Sequence, residues 1–531
     1  MRTSRSLAAV GATLSAALAL VACSSPADVD TTPAADDGGE AETQGSGTLN
    51  FAIGGDPMSL NPINVSDRWG LTTTNLVYSP LARIEADGSL TPELAETIET
   101  APDGLSVTVT LRDDVLWSDG EPLTADDVVF TYTEKAKVEN GNADSLLVGG
   151  EPIAATAVDE HTVRFDLPGA SAAAANNLAT ETYILPEHVY GELTDLSVTE
   201  LDPIAVGTGP YALAEYRPGE LLRLEANENY YGEAPQIANL NLRIVTNADT
   251  IKAALQTGEI DGAAVLPAEL GDLEGAPVES YVYSEGRVAY LGAIQTKPAL
   301  ADVRVRQALF FGIDREELNV AAYLSEDYFD NAATILPPSN PYFSTDGVQT
   351  YEQDQDQAAS LLAEAGVSGL EVTLAYTSTD PAQTVQATLI QQQLSQIGVT
   401  VSLAGLDSSA LYAELDNPAE ASFDLFLGGY IMGNDPDFYG ALFRTDGSAN
   451  YFDYSDPDTD ALFDAGAATL DDAERQAIYV DLQRQIAEDA VFFPIVDNNR
   501  ILVFNERIGG VEEATPVAIY SLEHWELLTE Q

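Results

Sequence analysis

The sequence predicts an α/β protein of several domains, on three observations. The chain has 531 residues, too many for one hydrophobic core; a length prior gives about three domains. Between Leu370 and Leu403 two alternating apolar runs flank a helical stretch, and that strand–helix–strand order implies a parallel βαβ unit. Between Gly104 and Glu134 a strand, a turn and a capped helix follow one another. Hydrophobic residues make up 45% and charged residues 20%, as in a folded soluble protein.

Charge and cysteine usage exclude several function classes. With 86 acidic against 22 basic side chains the formal net charge is −64, a surface that repels nucleic acid. It reads either as a heavily hydrated exterior or as a field that steers a cationic ligand. The single cysteine, Cys23, permits no intramolecular disulfide and no Cys-based metal site. Only His161, His188 and His524 are present, far apart, and neither H-E-x-x-H nor G-x-S-x-G occurs. Among so many acids a carboxylate-based hydrolase stays open, but the expectation is a protein that is not an enzyme and carries no cofactor or metal.

The N-terminus has its own logic. Arg2 and Arg5 precede a short apolar run, Leu7 to Val21, and then Leu20-Val21-Ala22-Cys23. That is a secretory signal, too short to span a membrane, and the tetrapeptide is similar to a bacterial lipobox. Residues 1–22 are expected to be removed and Cys23 lipidated, with several acyl chains giving stable anchoring. Residues 23–47, rich in Ala, Asp, Glu, Thr and Gly, read as a flexible tether.

In the body, Leu49 to Ile53 is a strand candidate, followed by Ser59-Leu60-Asn61-Pro62 and a loop containing Trp69. Ser106 to Leu111 alternate strictly, Asp119-Gly120 is a turn pair, and Thr124 with Asp127 fits a capping box. His161 to Leu167 alternates again, and Ala170 to Ala175 opens a helix. Gly207-Thr208-Gly209-Pro210-Tyr211 lacks the Lys-Ser/Thr of a phosphate loop and reads as a tight turn. Leu240, Leu242 and Ile244 mark a strand, and Ala248 to Thr257 a helix closed by Gly258. Asp302 favours the start of a helix carrying Arg304 and Arg306, which are read as structural ion pairs with ligand contact as the alternative. Pro381 to Ile397 and Ala473 to Asp489 are helices; Val399 to Leu403 and Phe423 to Leu427 are strands.

As strings these segments carry a resemblance. LRDDVLWSDGEPLTADDVVFTY, the GEID of Gly258–Asp261, the DVRVRQAL of Asp302–Leu309 with Ile313-Asp314-Arg315, and Asn61 in an SLDP-like opening are together similar to the extracytoplasmic solute-binding proteins of ABC importers, peptide/nickel-binding type (family 5). The resemblance implies the periplasmic-binding-protein-like type II fold: two α/β lobes joined by a hinge, plus an extra domain (cluster C). The expected division is residues 48–80 with 178–275 and 494–531 as lobe I, 81–177 as the extra domain, and 276–493 as lobe II. It also implies capture of a solute, a di- or oligopeptide foremost, between the lobes and delivery to a permease whose ATPase is a separate subunit. A short oligosaccharide or metal chelate on the same scaffold is the alternative, and a lipid-anchored sensor or receptor a third. A monomer on the outer face of the bacterial cytoplasmic membrane, with no nucleic-acid partner, completes the expectation.

Ligands of open α/β sheets lie beyond the carboxyl ends of the strands. That rule points at Gly428–Tyr439, read either as a surface turn or as the grip on a polar solute. In peptide-binding members the first Asp of the matching loop pairs with the peptide's amino group. Here Gly433 or Asn434 takes that place, and Asp435 or Asp437 stands as a substitute. The expected ligand-binding residues are Tyr430, Asn434 and Asp435, then Asn61 and Trp69 from the N-terminal loop.

Overall fold

The computed structural model describes residues 46–65, 67–84, 90–137, 143–180, 182–193, 196, 206–431, 435–517 and 521–531. The signal, Cys23 and most of the tether, together with Asn434, lie outside the described residues.

One mixed sheet runs through the body. Its strands are β1 (Thr48–Ile53), β2 (Tyr211–Arg217), β3 (Leu221–Ala226), β4 (Asn239–Ile244), β5 (Gly262–Val265), β6 (Val278–Ala293), β7 (Glu371–Thr377), β8 (Thr400–Leu406), β9 (Leu425–Ile431) and β10 (Phe492–Asn505). They lie in the order β2-β3-β4-β1-β5-β10-β6-β9-β7-β8, with the short strand Phe329–Asn331 pairing β10. The segment from Leu370 folds as its pattern requires: β7 and β8 pair in parallel, and the helix Pro381–Ser395 crosses between them.

The sheet has two sections, each buried on both faces. In the first, Leu49, Phe51 and Ile53 of β1 join one core with Leu240, Leu242, Leu502 and Phe504, while Ala52 joins another with Ala263, Val265, Ile501 and Val503. In the second, Leu291, Leu374, Leu425 and Leu427 face one core, and Val288, Tyr290, Phe426 and Tyr430 the other. Alternate residues of a strand point to opposite faces, so a strand that feeds two cores reads as a continuous apolar run. A further core, with Leu81, Val107, Val109, Trp117, Val128, Phe165 and Ile184, belongs to a separate four-stranded antiparallel sheet and the helix Ala125–Lys135. It extends a few residues past 177. Arg83 ties it to the first section: it pairs with Glu93 at 2.9 Å and Glu523 at 2.8 Å and hydrogen-bonds Asn75, with 5% of its side chain exposed.

Part of the acidity is spent on helix starts. Asp67, Asp302, Asp314, Asp354, Asp380, Asp407, Asp456 and Asp471 each accept an N–H from the first turn of a helix, satisfying donors that have no partner inside the helix and complementing its dipole. The Thr124–Asp127 capping box forms as its spacing requires. Gly258 closes its helix in the left-handed conformation, φ 71°, where a Cβ would be strained.

Two expectations need correction. The strand read as Phe423 to Leu427 is Leu425–Ile431, so Gly428 to Ile431 are strand and not loop; the paired glycines disguised it, because a glycine contributes no side chain to the apolar alternation. Arg304 does pair with Asp302, at 2.6 Å, but Arg306 forms no ion pair among the described residues. It is buried and donates to the carbonyls of Leu300, Asp489 and Ala490, the last two at the end of the helix Asp472–Asp489.

Candidate functional site

β6 and β10 are long because they belong to both sections of the sheet. The first half of β6 pairs the second half of β10, from Val278↔Asn505 to Ser284↔Asn499; its second half pairs the first, from Val288↔Asp497 to Gly292↔Phe492. Between them the register breaks: Glu285, Gly286 and Arg287 stand against Asn498 alone. Such a bulge bends the strand and re-aims side chains. Gly286 takes φ +60° and donates its N–H to Ser284 Oγ at 3.1 Å; Ser284 Oγ in turn donates to the buried Asp497 at 3.0 Å. The change from one section to the other therefore falls within the strands, at 284–288 and 497–499, rather than at their ends near 275 and 493.

The register shows what meets at this crossover. β1 and β5 are parallel, and β5 ends at Val265 opposite Ile501 of β10, itself opposite Val282 of β6. On the other side β7 and β9 are parallel, and β9 ends at Ile431 opposite Arg287. The carboxyl ends of the parallel strands of both sections converge on the same short stretch, 283–287 with 497–500. That is where a crevice between two α/β units places its ligand. A surface cavity of about 380 Å³ is bordered by Asp314, Glu316, Asn331 and Glu352 at a helix start, and its Asn331 lies opposite Val496, next to Asp497 of this stretch.

The expected residues are placed as follows. Trp69, expected in the loop after β1, is instead the second residue of the helix Arg68–Val77; it is partly exposed and its indole lies beside Gly54-Gly55, where a Cβ on either would sit 3.1 to 3.2 Å from the ring. Asn61 is fully buried in that loop; its Oδ1 accepts from Ile63 N at 3.0 Å and its Nδ2 donates to Leu196 O at 2.7 Å. Tyr430 is in the core, packed against Tyr290, Tyr439 and Phe492, and its hydroxyl donates to Ile335 O at 2.5 Å. Asp435 pairs with Arg475 at 2.8 Å with both side chains almost fully buried, and also accepts from Asp437 N. The Arg475 guanidinium sits 5.1 Å from the rings of both Tyr342 and Tyr479. Asp437 is held up at about 6, first by burial and then by the Asp435 carboxylate, with Arg444 opposing at 3.6 Å. The polar groups of Asn61, Tyr430 and Asp435 are thus engaged inside the protein, and Trp69 keeps accessible surface.

The crossover adds residues that sequence reasoning missed. Arg287, half-buried, reaches Asn498 Oδ1 at 3.3 Å and covers Gly429, where a Cβ would collide with its guanidinium. Burial pushes the Tyr412 hydroxyl up, and the Arg287 charge opposes it; Tyr412 packs edge-on to Tyr451 at 5.5 Å. No short motif surrounds Arg287. Its signal was the Gly-Arg pair interrupting a long apolar strand, a pattern that marks a bulge.

Known proteins share this fold. The chain resembles the ABC transporter substrate binding protein CtaP of Listeria monocytogenes at 36% identity and a TM-score of 0.87, covering 92% of this chain and 100% of that one. It is 26% identical to the oligopeptide-binding protein AppA of Bacillus subtilis, over 91% of this chain and 92% of the relative. It is 27% identical to the nickel-binding periplasmic protein of Escherichia coli, over 87% and 91%. Residues 89–451 match the profile of bacterial extracellular solute-binding proteins, family 5 Middle. The chain belongs to the bacterial extracellular solute-binding proteins of family 5.

Proposed function

We propose that this protein captures a peptide-type solute at the crossover and hands it to an ABC permease. The supporting observation is the convergence of two sets of carboxyl strand ends on one bulged stretch of β6 and β10. The lobes expected at 48–80 with 178–275 and 494–531, and at 276–493, change over within β6 and β10, at 284–288 and 497–499, and 81–177 lies beside the first. The strands through 284–288 and 497–499 act as the hinge, and the solute shifts an open–closed equilibrium by its differential affinity for the two states. A peptide is favoured because the relatives named AppA from Bacillus subtilis and Clostridium difficile are named for peptides, and because backbone hydrogen bonding serves many sequences. Family members are solute-binding transport proteins, and this chain is read as binding without turnover. Its place is the outer face of the cytoplasmic membrane, held by lipid on Cys23 and working as a monomer.

The test is mass spectrometry of small molecules released on denaturing the full-length chain after growth on peptone, with small-angle scattering before and after the solute is restored. A released solute that contracts the protein on return is the expected result. No retained solute and no change in radius of gyration with peptone would overturn the reading.

A further inference from the structure

The crossover holds a cation that no described carboxylate neutralises. With 86 acidic side chains against 22 basic ones, a carboxylate partner is easy to supply. Arg444 and Arg475 have theirs, Asp464 at 2.7 Å and Asp435 at 2.8 Å. Lys297 is satisfied by the carbonyls of Ala419 and Ala421. Arg287 has only the neutral amide oxygen of Asn498 at 3.3 Å, and among the described side chains no carboxylate lies within ion-pair distance of it.

Its position is built. The three-against-one bulge carries Arg287 to the end of β9, opposite Ile431. Gly429 leaves room for the guanidinium to lie against the strand. The Arg287 charge opposes the upward push of burial on the Tyr412 hydroxyl. A half-buried cation loses hydration, a loss that an anion or several carbonyls offset, and Arg287 has one amide oxygen at 3.3 Å.

We infer that Arg287 is the solute's anion contact and that the solute is an acid, its carboxylate matching the planar fork of the guanidinium. The inference rests on the solute-capture reading above and narrows it to acidic solutes, peptides with a free carboxylate among them. Arg287 then acts as a specificity residue: it selects the charged end and leaves the remainder of the solute to other contacts.

The experiment compares capture from two probes, a casein hydrolysate and the same hydrolysate after methyl esterification. The full-length wild type, Arg287→Gln, Arg287→Lys and Gly429→Ala are each loaded, washed and denatured, and the released peptides are quantified. Losing one charge-assisted contact is expected to cost about tenfold or more in retention. The wild type should therefore retain the free acids and lose about that factor on the esters. Arg287→Gln should treat the free acids as the wild type treats the esters, and Arg287→Lys should fall between. Gly429→Ala keeps the charge but displaces the guanidinium, the far end of a flexible side chain, so it should weaken capture of the free acids without lowering the ligand-free melting temperature. It carries the test should Arg287→Gln fail to fold. Equal retention of acids and esters by the wild type, or undiminished retention of acids by Arg287→Gln and Gly429→Ala, overturns the anion contact while solute capture stands. A wild type that retains nothing from either probe counts against both.

Discussion

Replacing Asp435 by Asn tests whether this acid serves the fold or the solute. The carboxylate is 6% exposed and the facing guanidinium 4%, with 2.8 Å between Oδ1 and Nη2. Asn keeps the volume and an oxygen for the Asp437 N–H, so the short helix start survives. What goes is the carboxylate hydrogen-bonded to Arg475, whose other described hydrogen-bond partners are neutral: Gly466 O at 2.9 Å, Tyr342 Oη at 2.9 Å and Tyr479 Oη at 3.1 Å. Breaking a buried pair by removing one partner costs about 3–5 kcal/mol. The surviving hydrogen bonds and the two flanking rings place the expected loss near the lower end, about 3 kcal/mol. Replacing both members, Asp435→Leu with Arg475→Met, removes the uncompensated charge and should recover most of that loss. Urea unfolding followed by the tyrosine band in near-ultraviolet circular dichroism is the assay, since Trp69 and Trp525 pack in the core of the first section and Trp117 in that of the separate sheet. A loss below about 1 kcal/mol for Asp435→Asn, the level of an exposed pair, would refute the buried-pair argument and return Asp435 to the list of solute contacts.

Three further outcomes are expected. Trp117 and Trp525 are fully buried and Trp69 is not, so a solute-induced change in tryptophan emission should vanish in Trp69→Phe; persistence of the change would place the solute elsewhere. Asp437, raised from 3.8 to about 6, binds a proton in the folded state that the unfolded chain has already released, so stability falls as pH rises through that window. Asp437→Asn should be the more stable form above pH 6 and lose its advantage by about pH 4; urea midpoints at these values decide it. His524 is raised above 6.5, chiefly by its hydrogen bond with Glu526 at 3.1 Å. Its contribution is present below 6.5 and lost as pH rises through the folded value, so the wild type should exceed His524→Gln in melting temperature at pH 6 and match it at about pH 9. A gap that persists at pH 9 would contradict this.

The sequence alone determined much of the fold, because its elements are locally specified. The Thr124–Asp127 capping box, the Gly258 helix end and the alternation of Ser106–Leu111 each depend on residues a few positions apart, and each formed. The family was legible for a similar reason: its strings are contiguous. The site was not. Whether Asp435 faces a solute or a guanidinium depends on Arg475, 40 residues away in a different helix, and Tyr430 was hidden from its fate by two glycines that made a strand read as a loop. Arg287 gained meaning only through pairing with Ile431 and a bulge opposite Asn498. Local propensity depends on neighbours in the chain, whereas the value of a charge depends on what the folded chain brings within a few ångströms of it, and no short stretch of sequence contains that information.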